Sequence, residues 1–343
     1  MGTPNTSLTT LRPDLRDSLE EFNLMADRLG FIGHRVAPAI DVAVQADTFG
    51  RIPLEQLLKH PNTSRNSEGG YSRGSWQFTP DTFATAEYGH EQPVDDRNAR
   101  IYGNYFNAEM IAAELALDAV LRAHEKRIAD LLFNPTTWNG AALTTGVGTE
   151  WSNPAAVPIT NVNAARALIF AGCGFYPNAL VITQRQFHNL REVTQVIDRI
   201  EASGAGQAAK TGDITAQMLA MVFDVDFVLV AGGAQNTADE GLAASISHLW
   251  NDEYAMLCRV ATTNNLAEPG VARTFHYSAD GSQIGGTMET YRDEKIRGDV
   301  VRCRHEVQSK VMYVECAHLL SNITASTGAP AAGSAAVSHD RHI

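Results

Sequence analysis

The sequence predicts an α+β protein assembled from unequal parts, and three observations carry the prediction. A helical pattern of about thirty-five residues runs from Asn98 to Pro135, far longer than a compact domain needs. A segment rich in glycine and aromatics precedes it, and strands alternate with helices after it.

The parts follow in chain order. Residues 1–40 read as a polar, extended arm with a short helical run from Leu15 to Leu29. Residues 41–98 hold Gly69, Gly70, Tyr71, Gly74, Trp76, Phe78, Phe83, Tyr88 and Gly89. Alternation at Trp76 and Phe78, and again from Phe83 to Tyr88, predicts a two-stranded ribbon turning near Thr79-Pro80-Asp81. An isolated ribbon is marginal in water, so its aromatics need a neighbouring surface, on this chain or on another copy.

Within the helical stretch, Phe106, Met110, Ala113, Leu117, Val120, His124, Ile128 and Leu131 recur every three or four positions and form one apolar stripe. Asn98 is placed to cap the first turn, and Asn134-Pro135 to stop the last. At 1.5 Å per residue such a rod would be roughly 50 Å long, so part of it must lie against something else, another subunit being one partner. The Ala and His in the stripe argue against the Leu and Ile seam of a coiled coil.

After a loop from Asn134 to Pro158, helices are predicted at Asn163–Gly172 and Gln184–Ile200 around a strand at Ala179–Ile182. Gly204–Gly212 breaks the chain; Thr211-Gly212-Asp213 then caps a helix with Ile214, Met218, Met221 and Val222 on one face. Val225–Val230 reads as a buried strand closed by Gly232-Gly233, and Tyr254–Val260 as another. From Thr287 to Val314 the chain is extended, Val301, Cys303, His305 and Val307 alternating with Arg302, Arg304, Glu306 and Gln308. The Ala/Gly/Ser-rich tail after Ser326 is expected to be mobile.

Composition narrows the function. The 343 residues are 44% hydrophobic and 19% charged, enough for a substantial core. No stretch approaches eighteen apolar residues and Met1–Thr10 is polar, so neither a membrane span nor a secretory signal is expected, and synthesis in a cytoplasm is. Cys173, Cys258, Cys303 and Cys316 lie far apart without CxxC, which argues against a zinc site or a disulfide framework; they read as small buried hydrophobes. A net charge of −12 with only five lysines leaves no basic stripe for gripping nucleic acid.

Each catalytic motif has a blander reading. Gly172-Cys173-Gly174 opens like a dinucleotide fingerprint, but Phe175-Tyr176-Pro177 replaces the third glycine and the helix start, so a helix-to-strand turn is favoured. Ala231-Gly232-Gly233 follows a strand without a GK[ST], and GxSxG and HExxH are absent. Asp95-Asp96 and Asp293-Glu294 read as solvated or salt-bridged carboxylates, and the eleven histidines are scattered, with His318, His339 and His342 toward the end. No catalytic residue, cofactor or metal ligand is expected.

The run Gly69-Gly70-Tyr71-Ser72-Arg73, then Ala86-Glu87-Tyr88-Gly89-His90-Glu91-Gln92-Pro93-Val94-Asp95-Asp96 and the long helix, resembles the extended loop and spine helix of tailed-bacteriophage major capsid proteins. Downstream, Pro177–Ile182, Ser247–Ala255, Thr290–Glu294 and Gly298–Arg302 resemble the same family's axial- and peripheral-domain segments in the same order, so the resemblance covers residues 40–325. It implies the tailed-phage major capsid fold: an N-terminal arm (1–40), an extended β-hairpin loop (41–98), a peripheral domain with the spine helix (99–160), an α/β axial domain (161–284), peripheral strands (285–312), a return to the axial domain (313–325) and a flexible tail (326–343).

That resemblance further implies a non-enzymatic subunit that self-assembles, as pentamers and hexamers, into an icosahedral shell around double-stranded DNA. Portal and scaffolding proteins would be partners, a decoration protein a further candidate, and the virion the location, after assembly in the host cytoplasm. Subunit contacts would involve Arg73, Trp76, Phe78, Glu91, Arg292, Glu294 and Arg297. An acidic subunit suits a DNA container, because a basic inner wall would hold phosphates. Two departures from the family matter. Between Pro61 and Arg127 the only lysine is Lys126, inside the helix, so a lysine–asparagine cross-link from the loop is not expected. About forty residues precede the loop, too few for the long cleaved scaffolding segment of some members. The alternatives are an encapsulin-type nanocompartment and, in another class, an α/β enzyme with a helical oligomerisation arm.

Overall fold

The computed structural model describes residues 10–11, 27, 29–65, 67–75, 77–102, 107–202, 214–239 and 241–324. Most of the Leu15–Leu29 run, Trp76, Phe106, the Thr211-Gly212-Asp213 cap and the tail after Ser326 lie outside the described residues. The first half of the chain forms β1 (Thr10–Leu11), α1 (Gly33–Val36), β2 (Ala39–Val42), β3 (Ala46–Arg51), α2 (Leu54–Leu57), β4 (Thr79–Ala84), β5 (Ala86–Asp95), α3 (Asp96–Tyr102), α4 (Ala108–Leu132), β6 (Thr144–Gly146) and α5 (Pro158–Cys173). The second half adds β7 (Ala179–Thr183), α6 (Gln184–Leu190), α7 (Thr194–Ile200), α8 (Ala216–Phe223), β8 (Phe227–Ala231), β9 (Ala234–Asn236), β10 (Ile246–His248), β11 (Ala255–Cys258), β12 (Ala272–Tyr277), β13 (Thr287–Asp293), β14 (Gly298–Val311) and β15 (Ala317–Ser321).

One long strand organises the six-stranded sheet. β14 pairs antiparallel with β13 over Gly298–Arg304, with β5 over Gly298–Val307, and with β12 over Val307–Val311; β2 and β1 extend the edges. Its alternation follows the sequence pattern, with Val301, Cys303, His305 and Val307 buried while Arg302, Arg304 and Gln308 are half-buried. Glu306 departs from it, buried because Gln45 Nε2 and Thr85 Oγ1 donate to its carboxylate at 3.2 and 2.7 Å.

Against β14 and β5 lies α4, whose 25 residues span about 37 Å. Its buried face carries Ala112, Ala113, Ala116, Leu117, Val120, Leu121, His124, Ile128 and Leu132; the small alanines let helix and sheet approach, and each large side chain contributes about 1.5–3 kcal/mol. Asn107 starts this helix by accepting from the amides of Glu109 and Met110 at 3.1 and 3.4 Å.

The five-stranded sheet, in the order β6-β15-β11-β7-β8, is a wall between two cores. Leu180 and Ile182 of β7, Leu257 of β11 and Leu320 of β15 join Val162, Ile169, Leu190, Val196, Leu219 and Phe223 from the helices on one side. Their neighbours Ala179, Val181, Met256, Cys258 and Leu319 join the core beneath α4. The strand period of two thus divides each central strand between both cores, which is why β7 and β11 are buried at every position.

Several expectations need correcting. The helical stretch is not one rod. Asp95 caps α3 by accepting from the amides of Arg97 and Asn98 at 2.6 and 3.3 Å, and Asn107 caps α4 separately, so Asn98 is not the cap. Leu131 is only half-buried and Leu132 takes the core position. Nor does the ribbon turn at Thr79-Pro80-Asp81. Those residues begin β4, which pairs with β3 across a long excursion from Ile52 to Phe78, and Pro80, lacking an amide donor, sits opposite Gly50 on this two-stranded edge. Gln184–Ile200 is two helices, the first opened by a Thr183/Gln186 capping box. Thr215 caps α8, which buries Leu219, Ala220 and Phe223 while Met221 is 83% exposed. The extended stretch Thr287–Val314 is the β13–β14 hairpin followed by a 3-10 turn at Val314–Cys316.

Candidate functional site

Two surfaces gather the residues singled out by sequence. The first is the β3–β4 ribbon, whose root is fastened and whose far end is not. At the root, the Phe83 ring stacks on Phe275 at 4.7 Å and Phe49 lies 5.4 Å from Phe275. Lys310 Nζ donates to Asp81, the Arg51 guanidinium lies 5.2 Å over the Tyr313 ring, and the Tyr313 hydroxyl donates to the Ile52 carbonyl at 3.0 Å.

Beyond Ile52, Leu54 anchors α2 in the second core and Leu58 lies against Gly174, and the described residues that follow are tied to one another. Gln56 and Gln77 exchange hydrogen bonds of 3.0 and 3.3 Å, Arg65 Nε donates to the Gly69 carbonyl at 2.7 Å, and Ser72 Oγ donates to the Asn62 carbonyl at 2.7 Å. Tyr71 is 73% exposed and Phe78 58%, so two large rings stand in solvent on a backbone that is locally ordered. Arg73 is exposed on the same excursion, and so is Lys59.

The second surface is a charge ladder across β5, β14 and β13. Arg304 Nη1 donates to Asp280 at 2.8 Å and its Nε to Glu289 at 3.0 Å; Arg302 Nε also donates to Glu289 at 3.0 Å, while its Nη1 lies 3.6 Å from Glu91. Arg292 grips Asp96 with both terminal nitrogens, at 2.7 and 2.6 Å. Burial alone would raise the Asp280 carboxyl, but hydrogen bonds from Arg304 and Ser282 outweigh it and hold it at about 2. Glu289 is likewise kept below the usual carboxylate range, its two arginines outweighing its burial.

Of the interface candidates, Glu91, Arg292, Glu294 and Arg297 come together at this ladder. Glu91 accepts from the Tyr291 hydroxyl at 3.1 Å. Glu294 is exposed, 3.8 Å from Arg292, and Arg297 holds the hairpin turn at φ 50° while its carbonyl accepts from the Asp96 amide at 3.2 Å. Arg73 and Phe78 form a separate group on the ribbon, and Trp76 lies outside the described residues.

Glu125 was not visible as a key residue in the sequence. Buried on α4, its carboxylate accepts from the amides of Ile32 and Gly33 at 2.9 and 2.8 Å and from Trp250 Nε1 at 2.6 Å, tying the helix to α1 and to the loop before β11. Burial raises its carboxyl above the ordinary value although all three donors pull it down. The signal available was a carboxylate inside the Leu121, His124, Ile128 spacing.

Reactive arrangements are accounted for structurally. Thr183 Oγ1 donates to Asp252 at 2.5 Å and His248 Nδ1 lies 2.9 Å from the same oxygen, so the hydroxyl bonds the carboxylate rather than a base. Gly174, in the left-handed region at φ 74°, ends α5 as the helix-to-strand reading of Gly172-Cys173-Gly174 expected. All four cysteines are buried and none is in a disulfide. Among the described residues there is no cluster of His, Cys, Asp and Glu placed to hold a metal ion, and no helix is long and apolar enough to cross a membrane.

No family model matches the chain. The major capsid protein of Burkholderia phage BcepMu is 24% identical over 209 residues, covering 58% of this chain and 63% of that protein, just under two thirds of its length. Among solved structures, a phage-related protein of Bordetella bronchiseptica matches with a TM-score of 0.66 at 17% identity, over 92% of this chain and 98% of that one. The capsid of cyanophage P-SCSP1u matches with a TM-score of 0.54 at 9% identity, over 83% and 86% of the two chains. A virus-like particle from Pyrococcus furiosus gives 0.51 at 11%, over 88% and 100%. The fold is therefore the α+β fold of phage major capsid proteins, as the sequence resemblance implied.

Proposed function

We propose that this chain is the structural major capsid subunit of a tailed phage or prophage, many copies of which close into an icosahedral shell around double-stranded DNA. The observation that carries the reading is the ribbon: an excursion rooted in the second core through Leu54 presents Tyr71 and Phe78 largely to solvent beyond that root, on a fold shared with capsid subunits. Repeated heterologous contacts that close around axes build shells, and each copy then supplies the surface its neighbour's ribbon lacks.

In this reading residues 41–98 form the extended loop, α4 the spine of the peripheral domain, and the five-stranded sheet with α5–α8 the axial domain around five- and six-fold axes. The net charge of −12 leaves packaged DNA unbound by sequence. Portal and scaffolding proteins, with a decoration protein as a further candidate, would complete the head in the host cytoplasm. Negative-stain microscopy of the purified protein tests this directly: closed shells of uniform diameter are expected, and a monomer or small fixed oligomer at every concentration and salt tried would overturn it. The likeness to the Pyrococcus furiosus particle favours, as a second reading, a protein nanocompartment. Shell contents separate the two, nuclease-sensitive DNA supporting a phage head and a protein cargo the compartment.

A further inference from the structure

Between α4 and the six-stranded sheet lies a pair of buried imidazoles that no function so far requires. His124 of α4 is 3% exposed and His305 of β14 is fully buried; their rings meet edge to face with centroids 5.4 Å apart. Among the described residues, neither ring nitrogen of His124 has a hydrogen-bond partner. An imidazole can stay dry and unpartnered at modest cost only while it is neutral.

The geometry fixes the neutral form of His305. Arg127, always a donor, lies with Nη2 3.1 Å from His305 Nε2, so that nitrogen must be the acceptor. The proton therefore sits on Nδ1, which donates to the Ile284 carbonyl at 3.1 Å. A second proton on Nε2 would point at a guanidinium, destroying one hydrogen bond and setting two positive charges side by side. The Arg127 guanidinium, in turn, rests 3.6 Å over the ring of Tyr88 from β5 rather than on a carboxylate.

Among the described residues, the surroundings supply no uncommitted counter-charge. His34 of α1 and His276 of β12 face the pair with basic rings, each already beside an acid of its own, Asp27 at 3.7 Å and Asp41 at 2.8 Å. On α4 the Glu125 carboxylate is engaged by α1 and Trp250, and on β14 Glu306 is engaged by Gln45 and Thr85. Burial, then neighbouring positive charge, pushes His124 well below the ordinary imidazole value; burial likewise brings His305 down to about 4.

We propose that His124 and His305 form an acid-released latch: neutral, they hold α4 against β14 and β5, and their protonation frees that contact before the five-stranded sheet is disturbed. Unfolded imidazoles charge near pH ~6.5, so the latch contributes fully above that value and is lost as pH falls toward the lower folded values. With both groups engaged, release takes up about two protons. Asp280 and Glu268, both held at about 2, act in a separate, more acidic window, whereas Glu125, raised by burial, favours the folded contact as pH falls and so opposes release.

The full-length protein as purified, placed in deuterated buffers from pH 3.5 to 8, provides the test. Exchange at the imidazole C2–H, followed peptide by peptide, should give His124 and His305 midpoints below ~6.5, that of His305 at about 4. After correction for intrinsic exchange, amides of α4 and β14 should lose at least ~10-fold in protection between pH 6.5 and 5 while those of β7 and β11 do not. His305→Gln can accept from Arg127 and donate to Ile284 without titrating, and should move that loss at least half a pH unit lower. Midpoints near ~6.5, simultaneous loss in both sheets, or an unchanged onset in His305→Gln would overturn the latch. Should the variant not fold, the two wild-type readouts still decide.

Discussion

At the scale of single residues, the most consequential side chains are polar ones placed where the apolar pattern would have put a hydrophobe. Glu125→Gln keeps the shape and one acceptor oxygen for Ile32 and Trp250 but sets an NH2 donor against the Gly33 amide, and should cost about 2 kcal/mol by urea denaturation. A midpoint shift too small to detect would mean Trp250 and α1 are held by packing alone. Asp280→Asn removes a carboxylate whose folded value lies below its unfolded one, so the stability it contributes is present above pH ~4 and fades as pH falls toward about 2. The variant should be weaker by about 1 kcal/mol at pH 7, discounted for its partial exposure, and indistinguishable from wild type near pH 2. Sequence could locate Arg302, Arg304 and His305 on alternating faces, because alternation is local. It could not pair them with Asp280, Glu289 or Arg127, because those contacts depend on which strands and helices become neighbours.

Among the elements, the ribbon is where sequence reasoning and structure part most clearly. Alternating aromatics mark extended chain near Phe83 and Tyr88 and an orphan surface nearby, but the two residues fall in separate strands, β4 and β5, of different sheets, and β4 pairs with β3 across the whole excursion. Phe83 proves to be a root residue packed on Phe275, and the exposed rings are Tyr71 and Phe78. Replacing both by alanine should leave thermal stability of the unassembled subunit within about 0.5 kcal/mol while lowering shell yield. Trp76→Ala is expected to behave the same way, and shells of unchanged yield and heat stability in all three would remove the ribbon from the interface. Arg292 requires a revised probe, since its guanidinium is already taken by Asp96 of its own chain. Reversing it with Arg297 to Glu would disturb the α3–β13 junction as well as any neighbour, so Arg73→Glu with Glu294→Lys is the cleaner pair. Light-scattering assembly at two salt concentrations should show a slower rise at low ionic strength only, and wild-type kinetics at both would exclude charge at these positions from setting the register.

For the whole molecule, the family order of segments was legible because it depends on sequence blocks; the two-core arrangement was not, because a strand buried on both faces shows no periodicity to read. The absence of lysine between Pro61 and Lys126 predicts shells that dissolve in boiling detergent to single 37.2 kDa chains. Lys59, exposed at the start of the same excursion, is the nucleophile to examine if a reductant-resistant ladder is found instead.

The wall between the two cores also bears on when the subunit becomes usable. β15 joins β6, from Thr144–Gly146, to β11, from Ala255–Cys258, yet it is made last of the described strands, at Ala317–Ser321. β14, on which β5, β12 and β13 all depend, is made only shortly before it. A ribosome that has finished the ribbon and α4 therefore holds a chain whose docking elements exist while the surfaces they need are still unbuilt, and contacts so distant in sequence close slowly. On the proposed shell function, translation order would act as a timer, keeping nascent chains on one message from joining each other until each is released. Stalling synthesis before Gly298 should yield chains that neither bind one another nor resist protease, whereas stalling after Ser321, with the tunnel cleared by a linker, should restore both.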